Sequence, residues 1–181
     1  MSLARRLWDD NRDGARRILA HGFVRGLADG TLPADRFRAY VAQDAYFLEA
    51  FARAYALCLA GGTSRADLEE FAGLIAGVID ELKLHAAYAV RLGIDMTGVT
   101  PVAATVAYVD FLGQAARHAT LGETVAAMTP CMRLYAFLGQ ALARGPVAPA
   151  YADWVGTYAD PGFEALAATL EALLDRHAAD T

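Results

Sequence analysis

The sequence predicts an all-α fold: a helical bundle forming a single domain over residues 1–181. Three observations lead there. Apolar residues recur in steps of three and four, the helical period, and no stretch alternates convincingly at the period of two that a strand requires. Hydrophobic residues make up 56% of the chain, and many are alanine, the strongest helix former. Helix start and stop signals also punctuate the chain: Pro33, Ser64, Pro101 and Pro161 open periodic runs, and Gly61, Gly93 and Gly145 close them.

Taken in order, Leu3 to about Leu19 sets Leu3, Leu7, Ala15, Ile18 and Leu19 between charges, an amphipathic helix with a weak point at Gly14. His21 to Leu27 adds one short turn, and Ala28-Asp29-Gly30 is a break. Thr31-Leu32-Pro33 opens the longest helix, about Ala34 to Ala60, which Gly61-Gly62 stops. Ser64 with Asp67 resembles a capping box for the next helix, which Gly93 ends after Leu92. Thr100-Pro101 starts a helix to about His118, carrying Tyr108 and Phe111. Thr120 to Arg144 forms another, ended by Gly145-Pro146. A short helix spans Tyr151 to Tyr158, and Asp160-Pro161 opens a last one to about Ala178.

Two positions break the pattern of their own helices. On the long helix the buried stripe reads Phe37, Tyr40, Val41, Asp44, Phe47, Leu48, Phe51, Tyr55 and Cys58, and Asp44 is a carboxylate among aromatics. A lone charge buried there is costly, so Asp44 needs a partner. That partner is either an internal ion pair or helix cap, or a polar ligand lying on the aromatic wall. In Ala126–Gly139, Pro130 stands inside a helix, where it has no N–H to give and bends the chain. Cys131 sits at the gap so opened, with Tyr135 one turn on. A thiol beside a phenol at a helix break is either a pocket nucleophile or a packed core cysteine.

Composition narrows the classes. A net charge of −5 argues against a nucleic-acid binder. The early arginines Arg5, Arg6, Arg16 and Arg17 interleave with Asp9, Asp10 and Asp13 as a solvated face. Cys58 and Cys131 have no motif spacing and fit a reducing compartment. No stretch has signal-peptide or membrane-span character, so a soluble cytoplasmic protein with no membrane association is expected. Glu81 and His85, one turn apart, are a weak metal pair. The chain has no Glu-x-x-His and no His-x-x-x-His, so a structural hydrogen bond is preferred and no metal is expected. Phosphate loops, dinucleotide fingerprints and Gly-x-Ser-x-Gly are absent, and no histidine neighbours Cys131 in sequence.

The run Ala28 to Leu48 (ADGTLPADRFRAYVAQDAYFL) resembles the TenA family, the thiaminase II or aminopyrimidine aminohydrolase proteins, in its cysteine-containing form. His21-Gly-Phe-Val fits as well, with Gly22 where the family usually has proline. Glu81-Leu-Lys-Leu-His85, Pro130-Cys131 with Tyr135, and Trp154-Val-Gly-Thr-Tyr158 are further family-like blocks in the same order. The resemblance implies a haem-oxygenase-like fold without haem or other cofactor, assembled as a homotetramer. It implies Cys131 as the nucleophile that attacks a pyrimidine ring, and Asp44 as the carboxylate holding the pyrimidine's amino group and ring nitrogen. Phe47, standing where many members carry tyrosine, then packs the ring, and Tyr108, Tyr135 and Tyr158 are pocket tyrosines. The implied reaction gives hydroxymethylpyrimidine for thiamin salvage, from aminomethylpyrimidine or from thiamin. The alternative is a pyrimidine-binding member that does not turn its ligand over. Family members continue into a further C-terminal helix with a catalytic glutamate; the present sequence stops at Thr181 and is expected to lack it, with no motif match at Glu164 or Glu171.

Overall fold

The computed structural model describes residues 1–178 and is helical throughout, with eight α-helices among those residues. These are α1 (Leu3–Leu19), α2 (Gly22–Asp29), α3 (Ala34–Gly61), α4 (Arg65–Leu92), α5 (Ala103–His118), α6 (Leu121–Leu142), α7 (Ala152–Ala159, after a 3-10 turn Pro149–Tyr151) and α8 (Pro161–His177). The expected segment from His21 is a full helix, α2. It runs through Ala28 and Asp29 because Gly30 takes the left-handed conformation (φ 79°) that closes a helix C-terminus. The chain divides into two compact units, Met1–Pro33 with Thr129–Thr181, and Ala34–Met128.

The unit Ala34–Met128 is built on α3 and α4, joined by Gly62-Thr63-Ser64. Pairing runs in reverse order along them: Phe37 meets Tyr88, Asp44 meets His85 and Tyr55 meets Phe71, so the two helices are antiparallel. The turn is fixed by the capping box read from the sequence. Ser64 Oγ accepts the Asp67 N–H at 3.0 Å, and Asp67 Oδ2 accepts those of Ser64 and Thr63 at 3.0 and 3.1 Å. Asp67 is fully buried, which is tolerable only because these donors surround it. The α3 stripe is buried as expected except at Tyr40, which is half-buried.

α5 has no capping side chain of its own. Gln43 of α3 caps it from across the interface. Gln43 Oε1 accepts the Val102 N–H at 2.9 Å and the Thr105 hydroxyl at 2.8 Å, and Gln43 Nε2 donates to the Thr100 carbonyl at 3.1 Å. The helix start is thereby locked one residue away from Asp44, which sets the height at which Tyr108 lies against α3. α6 begins in this unit with a second capping box, Thr120 with Glu123.

In the other unit, α1 is tied to α8 where Asp175 Oδ1 accepts the Ala4 N–H at 2.8 Å. The Tyr151 hydroxyl donates to the Leu32 carbonyl at 2.7 Å, and the Ala148 N–H donates to Ala28 O at 2.9 Å. Arg133 on α6 reaches two carboxylates of α8, with Nε and Nη2 to Glu171 at 2.7 Å each and Nη1 to Glu164 at 2.8–2.9 Å. Gln140 also donates to Glu164, at 2.6 Å. The core of α8 is Ala167, Leu170, Leu173 and Leu174, all essentially inaccessible. Full burial of each leucine is worth about 1.5–3 kcal/mol, against which the helix must be ordered.

The sequence places Pro130 inside a single helix, and so does the structure. α6 remains one helix from Leu121 to Leu142 with Pro130 inside it. Pro130 is exposed, so water can serve the carbonyl that loses its usual donor, and the fully buried Val125, Met128 and Ala136 hold the helix on both sides of it.

Candidate active site

Asp44 has the partner that its burial demands. Its Oδ2 accepts the Tyr40 hydroxyl at 2.7 Å and faces His85 Nε2 at 2.9 Å. Tyr40 lies one turn back on α3, and His85 is delivered by α4 at the antiparallel register. The other ring nitrogen, His85 Nδ1, lies 2.9 Å from the backbone carbonyl of Glu81. His85 is 1% and Asp44 9% exposed. Burial opposes charge on His85, but the hydrogen bond and the charge of Asp44, helped by Glu81, outweigh it and raise the His85 pKa above its ordinary value. The expected Glu81–His85 hydrogen bond therefore exists, through the Glu81 carbonyl, and its larger consequence is the orientation of the ring toward Asp44.

The wall around Asp44 is aromatic. Phe47 stacks on Tyr108 with centroids 5.0 Å apart and planes at 26°, and contacts Phe51 at 5.2 Å. Tyr108 in turn stacks at 6.5 Å with Phe111, which is 55% exposed. Phe37 bridges Tyr40 and Tyr88, and His85 meets the Tyr88 ring edge-on. Asp44, Phe47 and Tyr108 thus belong to one unit and line one stretch of α3 and α5.

Cys131, Tyr135 and Tyr158 belong to the other unit. Tyr135 and Tyr158 touch, with centroids 4.7 Å apart, and Trp154 packs on both at 6.0 and 4.7 Å. Phe163 closes the far side of Tyr158 at 5.0 Å, edge-on. Tyr158 is held deep because Gly139 of α6 lies directly against the α7 backbone. A methyl group at Gly139 would fall 2.6 Å from both Ala159 N and Tyr158 Cβ, and closer still to the Tyr158 carbonyl carbon. The two thiols differ sharply. Cys58 is buried, and desolvation pushes its pKa up to about 12, which leaves it inert. Cys131 is half-buried on α6, one turn before Tyr135.

Sequence reasoning named Asp44, Phe47, Tyr108, Cys131, Tyr135 and Tyr158 but missed three groups around Asp44 and Tyr108. Tyr40 was read only as part of the apolar stripe, although a tyrosine one turn before a buried aspartate is a readable signal. His85 was not matched to Asp44, because the pairing depends on the α3–α4 register. Gln43 carried no signal at all, since its bonds reach across to 100–105.

The all-helical architecture is that of the haem-oxygenase-like helical class. The chain belongs to the TENA/THI-4/PQQC family, whose model matches residues 8–181. It is 34% identical over 165 residues to an aminopyrimidine aminohydrolase of Halalkalibacterium halodurans, covering 87% of the present chain and 74% of that protein. It is 38% identical over 173 residues to a thiamine biosynthesis multifunctional protein of Corynebacterium efficiens, covering 93% of this chain and 23% of that one. Among solved structures, a TenA family protein from a Silicibacter species, described as a transcription regulator, superposes with a TM-score of 0.90 at 28% identity, covering 97% of this chain and 80% of that one. A TenA homologue from Pyrococcus furiosus superposes with a TM-score of 0.89 at 23% identity over 98% and 85% of the two chains, which supports the fold. No described helix is long and apolar enough to cross a membrane.

Proposed function

We propose that the protein is a hydrolase of aminopyrimidines derived from thiamin breakdown, and of thiamin itself where the thiazole can leave, yielding hydroxymethylpyrimidine for thiamin salvage. The observation that carries this reading is the Asp44 carboxylate, buried on an aromatic wall. The two bonds it makes to Tyr40 and His85 both end on Oδ2. A carboxylate has lone pairs on both oxygens, so Oδ1 can still accept an N–H from a ligand. An aminopyrimidine has the matching chemistry: a flat ring for Phe47 and Tyr108, and an exocyclic amino group for Oδ1. The likeness to aminopyrimidine aminohydrolases supports the same substrate class.

In this reading the Cys131 thiolate adds to a ring carbon, and the electron pair displaced through the ring expels ammonia from the methylene substituent. Water adds to the methylene carbon, and the thiolate leaves as the ring is restored. The balance is aminomethylpyrimidine plus water giving hydroxymethylpyrimidine plus ammonia. Tyr135 and Tyr158 supply hydroxyls and ring faces for the pyrimidine. The protein acts in the cytoplasm as a homotetramer, a reading supported by apolar side chains left exposed on and beside α5, Val102 at 54% and Phe111 at 55%.

The test is a product assay by mass spectrometry with aminomethylpyrimidine and thiamin offered separately. The wild-type protein is expected to form hydroxymethylpyrimidine, Cys131→Ser to form none while still binding, and Asp44→Asn to bind at least tenfold more weakly. Product from Cys131→Ser at the wild-type rate would remove the nucleophile role, and unaltered affinity in Asp44→Asn would remove the anchor.

A further inference from the structure

His85 lies between two acceptors. The Glu81 carbonyl can only accept, so Nδ1 must carry a proton to make its 2.9 Å bond. Opposite it, Asp44 Oδ2 already accepts the Tyr40 hydroxyl and stands 2.9 Å from Nε2. A neutral imidazole has one N–H, which Nδ1 uses, and would then turn a bare lone pair of Nε2 toward the carboxylate. With Asp44 as a carboxylate, two acceptors on opposite nitrogens call for two protons on the ring.

We infer that His85 is a positioning residue for the pyrimidine anchor: as an imidazolium it donates to the Glu81 carbonyl and to Asp44 Oδ2, fixing that oxygen and leaving Oδ1 for the ligand's amino group. The inference rests on the hydrolase reading above and adds to it the state in which the anchor is held. The groups that act on the ring are few. From α3 they are the Asp44 carboxylate and the Tyr40 hydroxyl that shares Oδ2; from α4 they are Glu81 and the edge of the Tyr88 ring. Both carboxylates favour the cation, and only burial opposes it. Because the folded protein raises the His85 pKa, the contribution of the pair is complete below the ordinary histidine range. It is lost as pH rises through the raised value, where the proton on Nε2 leaves and two lone pairs face each other.

The experiment reads the ring directly and then its effect on ligand. Nitrogen NMR of the labelled wild-type protein, with His85 assigned by comparison with His85→Gln, is expected to show both ring nitrogens protonated at pH 7 and a neutral ring at higher pH. Calorimetric titration with hydroxymethylpyrimidine from pH 6 to pH 10 is expected to show wild-type affinity falling on the alkaline side. His85→Gln keeps a donor but no charge, so it should bind about tenfold more weakly at pH 7, with that alkaline fall gone. Protonation of the ligand affects both proteins alike, so the ratio of affinities is what is read. A single-protonated ring at pH 7, or a variant with wild-type affinity and profile, overturns the inference while leaving the hydrolase reading intact. A wild-type protein that binds no pyrimidine overturns both. Should His85→Gln fail to fold, the ring signals are assigned instead by eliminating those of His21, His118 and His177 through single substitutions of each, and the wild-type ring state and its alkaline limb still decide.

Discussion

Replacing Gly139 with alanine adds one methyl group where two helices touch through their backbones. The new carbon would lie 2.6 Å from Ala159 N and Tyr158 Cβ and closer still to the Tyr158 carbonyl carbon, where ordinary contact begins at 3.4 Å, so α7 must retreat from α6 by about 1 Å. A flexible side chain could swing aside, but the nearest atoms here belong to the Tyr158 and Ala159 backbone. Overpacking of this kind costs about 3 kcal/mol, and the better helix propensity of alanine returns about 1 kcal/mol, leaving a net loss of roughly 2 kcal/mol. For a chain of this size that is a fall in Tm of roughly 4–8 °C. The retreat also moves Tyr158 away from Tyr135, against which it now lies at 4.7 Å, and under the pocket role proposed above for these tyrosines a shift near 1 Å would cost up to ~10²-fold in rate. Gly156→Ala is the control: Gly156 is an exposed interior residue of α7 with open space around it, and alanine there should raise stability by about 0.5–1 kcal/mol. Thermal unfolding followed by circular dichroism, with turnover measured on the same samples, separates the two. A Gly139→Ala protein that melts at or above the wild type would refute the close approach of α6 and α7 and the placement of Tyr158 that depends on it.

Two other predictions concern the thiols and the Arg133 cluster. A thiol reagent applied to the native protein should modify Cys131 and spare Cys58, whose buried thiol is nine-tenths or more inaccessible and titrates at about 12. Peptide mapping that finds Cys58 modified first would contradict the packing of α3. Arg133→Met leaves Glu164 and Glu171 facing each other without their cation. The Arg133 side chain is only 15% exposed, but Glu164 is 39% exposed, so solvent screening reduces the loss to about 1–2 kcal/mol, a drop in Tm of roughly 2–8 °C. Arg133→Lys should recover only part of it, because an ammonium cannot form both paired bonds to Glu171. An Arg133→Met protein as stable as the wild type would show that the cluster is energetically idle.

How much of this was legible in the sequence follows from the range of the interactions. Helix ends set by neighbours within four residues were readable. Ser64 and Asp67 cap α4, Asp160 caps α8, and Gly93 closes α4 in the left-handed region, all within the segments that the periodicity had already marked. Asp44 was readable as an anomaly because a charge interrupts a helical stripe whatever the tertiary fold. The answer to the anomaly was not readable, since it lies 41 residues away and depends on how far α3 and α4 run before they turn. Pro130 was readable as a proline interior to one helix; that its ring lies outside was not, because that depends on which face of α6 the fold covers.

Asp44 and Gln43 together show how this stretch of α3 positions two neighbouring helices. Adjacent residues on a helix point about 100° apart, so one helix turns two neighbouring polar side chains toward two different helices. Asp44 faces α4 and takes His85; Gln43 faces α5 and holds its first turn through three hydrogen bonds. Phe47, one turn on from both, then meets Tyr108 at a separation that Gln43 has set. The register of α4 and the height of α5 are thus determined within one turn of the carboxylate that the ligand would meet. Asp44, a polar residue inside a hydrophobic stripe, would destabilise the packing unless satisfied, and it is satisfied by the helix that it positions; Gln43, half-buried beside the stripe, is bonded by the helix start that it holds. These two polar groups therefore specify geometry, while the surrounding phenylalanines supply the burial that keeps the geometry rigid.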